Sequence, residues 1–259
     1  MRLAANLSML FTDAPFLERV GRAARAGFRA VECQFPYEYD ATALREQLDL
    51  HHLELVLHNL PAGDWAAGDR GMACDPARMD EFAIGLERAI AWAQALGCTR
   101  LNCLAGAVPA GMTREVARDT LVRNLDMAAW RLKGEGIRLL LEAINTRDVP
   151  GFLVHTTRDA REVLDAVGSD NLFIQYDAYH MQIMEGDLSR TIEANLDCIA
   201  HIQIADPPLR SEPGTGEINV PYLFDFLDRV GYDGWVGCEY TPLGRTEDGL
   251  AWARPYLQR

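Results

Sequence analysis

The sequence predicts an α/β protein, a closed (β/α)8 TIM barrel, on three observations. Short apolar or β-branched runs alternate with amphipathic helical stretches eight times along the chain. A strand–helix–strand repeat implies right-handed crossovers and a parallel sheet. Eight units in 259 residues is about 32 residues each, which suits a barrel of roughly 250 residues. An open doubly wound sheet would want a glycine-rich turn after its first strand, and NLSMLFTD offers none. No linker, charge run or low-complexity segment divides the chain, so 1–259 reads as one domain.

The strands are expected, in order, at 2–7 (RLAANL), 30–35 (AVECQF), 53–59 (LELVLHN) and 100–106 (RLNCLAG). The second four are expected at 137–144 (IRLLLEAI), 172–177 (LFIQYD), 199–206 (IAHIQIAD) and 235–240 (WVGCEY). Between them lie helical faces. Phe82, Leu86, Ile90 and Ala93 mark one near 78–97; Leu121, Leu125, Ala128 and Leu132 mark another near 113–135. Gly27, Gly97, Gly136, Gly168 and Gly231 stand where a helix should end before the next strand.

Composition narrows the function. Hydrophobic residues make up 49% and charged residues 24%, enough for a large core. A net charge of −13 repels phosphate backbones and argues against a nucleic-acid partner. Lys133 is the only lysine, which weighs against Schiff-base chemistry. No run approaches the roughly 18 to 20 apolar residues of a membrane span. MRLAANLSML does not read as a signal peptide, and the six cysteines form no C-x-x-C pair. The expectation is a soluble, cytoplasmic protein with reduced core thiols and no membrane partner.

Strands of a buried parallel sheet should be almost wholly apolar. These carry polar residues near their C-terminal ends: Asn6, Glu32, His58, Asn102, Glu142, Asp177, Gln203 and Glu239. Barrel active sites sit at that end. Glu142, Asp177, Gln203 and Glu239 close the fifth to eighth strands, consecutive around half the rim. Any one carboxylate is equally explained by a salt bridge to a rim arginine; four oxygen donors together are not. An all-oxygen set favours Mg²⁺ or Mn²⁺ over Zn²⁺.

AANLSMLF, FPYEYD, HNLPAGDWAAG, LEAIN, IQYDAYHMQ, HIQIAD, EPGTGEIN and GWVGCEY, in this order, resemble the hydroxypyruvate isomerase family of xylose-isomerase-like TIM barrels. The resemblance implies a divalent metal and an aldose–ketose type isomerisation of a small oxo-acid. It implies that Glu142 and Glu239 are the paired acid and base, with Asp177 and Gln203 completing the metal set. Related sugar epimerases carry histidine as the third ligand; Gln203 in that place leans toward Mg²⁺, with Mn²⁺ as the alternative. The resemblance also admits a homo-oligomer.

The expected reaction interconverts hydroxypyruvate and 2-hydroxy-3-oxopropanoate through an enediolate. Alternatives are a 2-oxo-tetronate isomerase, a ketose 3-epimerase, a DNA-repair endonuclease on the same superfold, or a non-catalytic barrel. The endonuclease would need several zinc ions and many histidines, against 6 histidines here. For substrate binding, Arg210 is the first candidate to pair with a carboxylate, a surface arginine being the alternative. His180 and His58 are candidates to hold a substrate oxygen, or else core histidines. His201 lies on the same side of its strand as Gln203 and reads as its neighbour rather than a ligand. Glu32 either orients a histidine or ligand from behind or forms a rim salt bridge. The loop 59–76 reads as a lid or as a packed loop. In 212–219 the glycines offer a weak anion cradle, or simply lead into a helix.

Overall fold

In the computed structural model, which describes residues 1–257, eight parallel strands close in chain order, the last pairing with the first. They are β1 (Arg2–Asn6), β2 (Ala30–Cys33), β3 (Glu54–Asn59), β4 (Arg100–Cys103), β5 (Arg138–Glu142), β6 (Leu172–Asp177), β7 (Ile199–Ile204) and β8 (Trp235–Cys238). Most stop short of the apolar runs that announced them, because the last residues of each run already belong to the mouth. Glu239, for example, stands one residue beyond β8.

The main helices are α1 (Phe16–Ala26), α2 (Ala41–His51), α3 (Met79–Leu96), α4 (Arg114–Lys133) and α5 (Thr157–Val167). Shorter ones follow: α6 (Ala178–Met184), α7 (Leu188–Ala194), α8 (Val220–Arg229), α9 (Thr246–Gly249) and α10 (Arg254–Leu257). Their starts follow side-chain chemistry. Asp40, Thr113 and Asn219 each accept a backbone N–H of the first turn, and Thr156 with Asp159 forms a capping box. Gly27, Gly97 and Gly168 end α1, α3 and α5 in the left-handed conformation, as expected. Gly136 and Gly231 do not: α4 is capped by Gly134 and α8 by Val230, and the expected glycines make the turn just beyond. No helix among the described residues is long and apolar enough to cross a membrane.

Inside the barrel Ala4, Ala30, Val56, Leu57, Leu140 and Ala200 form a small apolar cluster of their own. A polar layer lies above it. The β2–β3 and β6–β7 ladders each slip by a residue just before Glu32 and Gln175, two members of that layer. A β-carbon at Gly237 would overlap the Glu32 carboxylate, so β8 makes room for it with glycine. The larger apolar core lies outside the strands, under the helices. All six cysteines are buried and unpaired.

Two loops at the mouth differ from each other. Of the long loop after β3, Met72, Ala73 and Cys74 are buried, Asn124 donates to the Ala73 carbonyl, and Gly71 bridges to Ala105. That half is packed. The tip stays outside, with Trp65 38% exposed against Phe35 and under the Arg70 guanidinium. In the loop after β7 the Asp206 carboxylate accepts the N–H groups of Gly214 and Ile218. One of the two glycines expected to cradle an anion, Gly214, thus has its amide taken by the chain's own carboxylate. On the opposite face, Lys133 pairs with Asp170, and the Met1 amine pairs with Asp228.

Candidate active site

The mouth is built from the polar layer upward. Glu32 is fully buried and takes three donors: Asn6 Nδ2 at 2.9 Å, Gln203 Nε2 at 2.8 Å and His201 Nε2 at 2.7 Å. A buried carboxylate is tolerable only with such partners. Of the two readings of Glu32, the structure therefore selects the one in which it orients a histidine and a ligand candidate from behind. Gln203 is tied at both ends, its carbonyl oxygen accepting Gln175 Nε2 at 2.7 Å. An amide oxygen has a second lone pair, so this leaves one for another partner.

Above this layer the acidic groups form an arc. Glu142 Oε2 accepts Asn102 Nδ2 at 2.8 Å, and its Oε1 lies 3.8 Å from His180 Nε2. His180 Nε2 is 3.5 Å from Asp177 Oδ2. Asp177 Oδ2 is 3.5 Å from Arg210 Nη2, which donates to Glu239 Oε2 at 2.7 Å. Glu239 Oε1 accepts Gln34 Nε2 at 2.9 Å and Asn6 Nδ2 at 3.2 Å. Arg210 has left-handed backbone (φ 54°), and its guanidinium lies 5.1 Å from the centre of the Tyr179 ring. The rim salt bridge is therefore real at Glu239, but its arginine is one of the site's own candidates.

The residues fit a cation. One atom each of Glu142, Asp177 and His180 lie within 4.8 Å of one another, all buried. Asp177 Oδ1 accepts the Tyr179 N–H, while Oδ2 is buried with no hydrogen-bond partner. Beyond the Arg210 ion pair at 3.5 Å this oxygen has no hydrogen bond, which leaves it able to take a cation as a further partner.

Electrostatics agree. Burial, then the charges of Glu239 and Asp177, hold the Glu142 carboxyl well above the usual range. Burial pushes Asp177 up to about 7 against the pull of Arg210. Burial likewise raises Glu239, again opposed by Arg210. Burial and Arg210 hold the His180 ring well below its usual value, so it is neutral.

A raised carboxyl contributes stability that is complete below its unfolded value and lost as pH rises through its folded one. For Asp177 that window runs from 3.8 to about 7. Protein stripped with EDTA should therefore lose stability as pH rises across that window and Asp177 gives up its proton. Thermal unfolding of wild type and Asp177→Asn checks this. The substitution should flatten the slope, and identical slopes would refute the assignment.

Of the residues expected from sequence, Glu142, Asp177, Glu239, His180 and Arg210 come together, with Gln203 just beneath. His58 does not. Its Nδ1 faces the Tyr37 hydroxyl and the Asn59 carbonyl, its ring meets Tyr37 edge-on, and burial lowers it to about 4. It is turned to the helical layer, because its neighbour Asn59 points inward to Asn102 and strand side chains alternate. Sequence reasoning missed Gln34, Asn145 and Asp148. Asn145 lies in LEAIN, three residues after Glu142, but no periodic pattern marks it.

Known proteins place this arrangement in a family. The family described as xylose isomerase-like TIM barrel matches residues 20–256. Hydroxypyruvate isomerase of Escherichia coli (strain K12) is 54% identical, covering 99% of this chain and 99% of that protein. A 2-oxo-tetronate isomerase of Cupriavidus necator is 46% identical over 100% of this chain and 99% of its own. The crystal structure of a protein named AP endonuclease, family 2, from Brucella melitensis superposes with a TM-score of 0.96 at 47% identity, covering 98% of each chain.

Proposed function

The chain belongs to the hydroxypyruvate isomerase family of xylose isomerase-like TIM barrels and is an isomerase, and from that premise we propose that it interconverts hydroxypyruvate and 2-hydroxy-3-oxopropanoate. The observation that carries the proposal is the arc itself. Two buried glutamates from the ends of different strands, Glu142 in β5 and Glu239 just beyond β8, stand at its ends with Asp177, His180 and Arg210 between them.

Isomerisation moves a proton from C3 to C2 and a second from the C3 hydroxyl to the C2 oxygen. One glutamate removes the carbon-bound proton to give an enediolate; the other, or the same one, returns a proton at the neighbouring carbon. Burial keeps both carboxyls easy to protonate, which suits a group that must accept a proton and give it back. Glu142, Asp177, Glu239 and the free lone pair of Gln203 would hold a divalent cation, Mg²⁺ or as the alternative Mn²⁺, since an oxygen donor set suits these better than Zn²⁺. When bound, it supplies Lewis-acid stabilisation of the charge on the two substrate oxygens.

Arg210 pairs with the substrate carboxylate. Its Nε is buried without a partner, which leaves one donor beside the Nη2 that holds Glu239. His180 donates to a substrate oxygen. The exposed tip around Trp65 closes over the mouth and keeps water from the enediolate. The reading takes a small oxo-acid as partner, with no nucleic acid and no membrane. The net charge of −13 opposes DNA binding, although the Brucella protein carries an endonuclease name. Six buried, unpaired thiols support the cytoplasm as its compartment.

The test is proton NMR of hydroxypyruvate in D₂O with the protein and Mg²⁺, then with EDTA. Metal-dependent appearance of 2-hydroxy-3-oxopropanoate, with deuterium gain above the enzyme-free control, is the expected result. No reaction from folded, Mg²⁺-loaded protein would overturn it. The second reading, 2-oxo-tetronate to 3-oxo-tetronate, is favoured by the 46% identical relative, and the same assay on that acid ranks the two.

A further inference from the structure

His180 is one of three buried groups close enough to share a cation, yet its surroundings fix it in a different role. Its Nδ1 faces two donors, Asn145 Nδ2 at 2.6 Å and the Asn145 backbone N–H at 3.4 Å. The orientation of the Asn145 amide is set independently. Its Oδ1 accepts the backbone N–H groups of Arg147, at 3.0 Å, and Asp148, at 2.8 Å. Its Nδ2 must then be the group that faces His180 and, at 3.0 Å, the Asp148 carboxylate. Asp148 Oδ2 also accepts the Tyr179 hydroxyl at 2.9 Å, which anchors the far end.

A nitrogen that faces only donors must be the ring's lone-pair nitrogen. The single ring proton is then on Nε2, which lies 3.5 Å from Asp177 Oδ2 and 3.8 Å from Glu142 Oε1. A protonated ring nitrogen cannot bind a metal; it can only donate. We infer that Asn145, held by Asp148, is a positioning residue that locks His180 as its Nε2–H tautomer and so makes it a hydrogen-bond donor to the substrate instead of a metal ligand. The nearness of His180 to Glu142 and Asp177 is thus the nearness of a donor to acids. This deepens the isomerase reading and rests on it only for the identity of the oxygen that receives the bond.

The ring's state is directly readable. In protein labelled with [¹⁵N]histidine, two-bond proton–nitrogen correlation spectra distinguish a protonated ring nitrogen from a bare one. The His180 signals are assigned by their loss in His180→Gln. With EDTA and with Mg²⁺ alike, wild type should show protonated Nε2 and bare Nδ1. A proton on Nδ1 in wild type overturns the inference, whatever any variant does.

The double variant Asn145→Asp/Asp148→Asn reverses the polarity of the pair at nearly constant shape. It should move the ring proton to Nδ1 and bare Nε2. It should also raise Zn²⁺ affinity relative to Mg²⁺ by about tenfold or more, because a nitrogen ligand has been created. A folded double variant with the wild-type ring pattern would equally refute the lock. Substrate failure is separable: if neither acid is turned over while the wild-type spectrum is as expected, the proposed reaction falls and the tautomer stands.

Discussion

Glu142→Gln and Glu239→Gln each lower turnover of hydroxypyruvate by about 10³-fold or more and leave the barrel folded. Positioned acid–base groups contribute roughly 10² to 10⁴ in rate, and each substitution also removes an anionic ligand candidate. The amide keeps the shape of the carboxylate. Asn102 still finds an acceptor at residue 142, whereas at residue 239 the amide keeps one acceptor oxygen for Arg210 and turns its NH2 toward Gln34 and Asn6. Replacing the Glu142 carboxyl, whose protonation burial and neighbouring charges already favour, should leave the thermal midpoint unchanged or raise it, whereas Glu239→Gln should lower it by taking the anionic partner from Arg210. Single-turnover kinetics and thermal unfolding on the same preparations decide the matter. Activity within a few-fold of wild type in either variant would remove the paired-glutamate mechanism.

Glu32→Ala should destabilise the fold by about 3–5 kcal/mol, the usual cost of removing one member of a buried charged network. Asn6, His201 and Gln203 each lose an acceptor in a place no water reaches from the core side. For a domain of this size that corresponds to a fall in thermal midpoint of about 10 °C. Gly237→Ala should do similar damage by a different route, because its new methyl group occupies the space of the same carboxylate. Urea unfolding of both variants tests this. A cost below about 1 kcal/mol for Glu32→Ala would mean the layer is not what holds the barrel interior together.

Much of this is legible in the residues themselves. The barrel follows from alternation and length, and the site follows from carboxylates where strands should be apolar. Glu142, Asp177 and Glu239 each break an apolar run, and each reaches the arc. The same signal misplaces His58, because a polar residue near a strand end does not say which side it faces. Only Asn59 meeting Asn102 shows that the inward position is one residue later. Glu32 stands between two readings in the sequence because its partners come from β1 and β7, far away along the chain. Asn145, Asp148 and Gln34 are invisible there for a related reason. They lie in irregular segments beyond strand ends, where no period exists for a side chain to interrupt. Their roles arise from backbone turns that composition does not encode.

The distribution of primary amines has a practical consequence. Lys133, the only lysine, closes α4 and leads into β5, so it lies on the face away from the arc. Chemistry that couples the lysine amine to a support or a dye therefore acts on that side of the molecule. Protein captured in this way presents its mouth outward in a single orientation, with Glu142, Arg210 and the Trp65 tip open to whatever flows past.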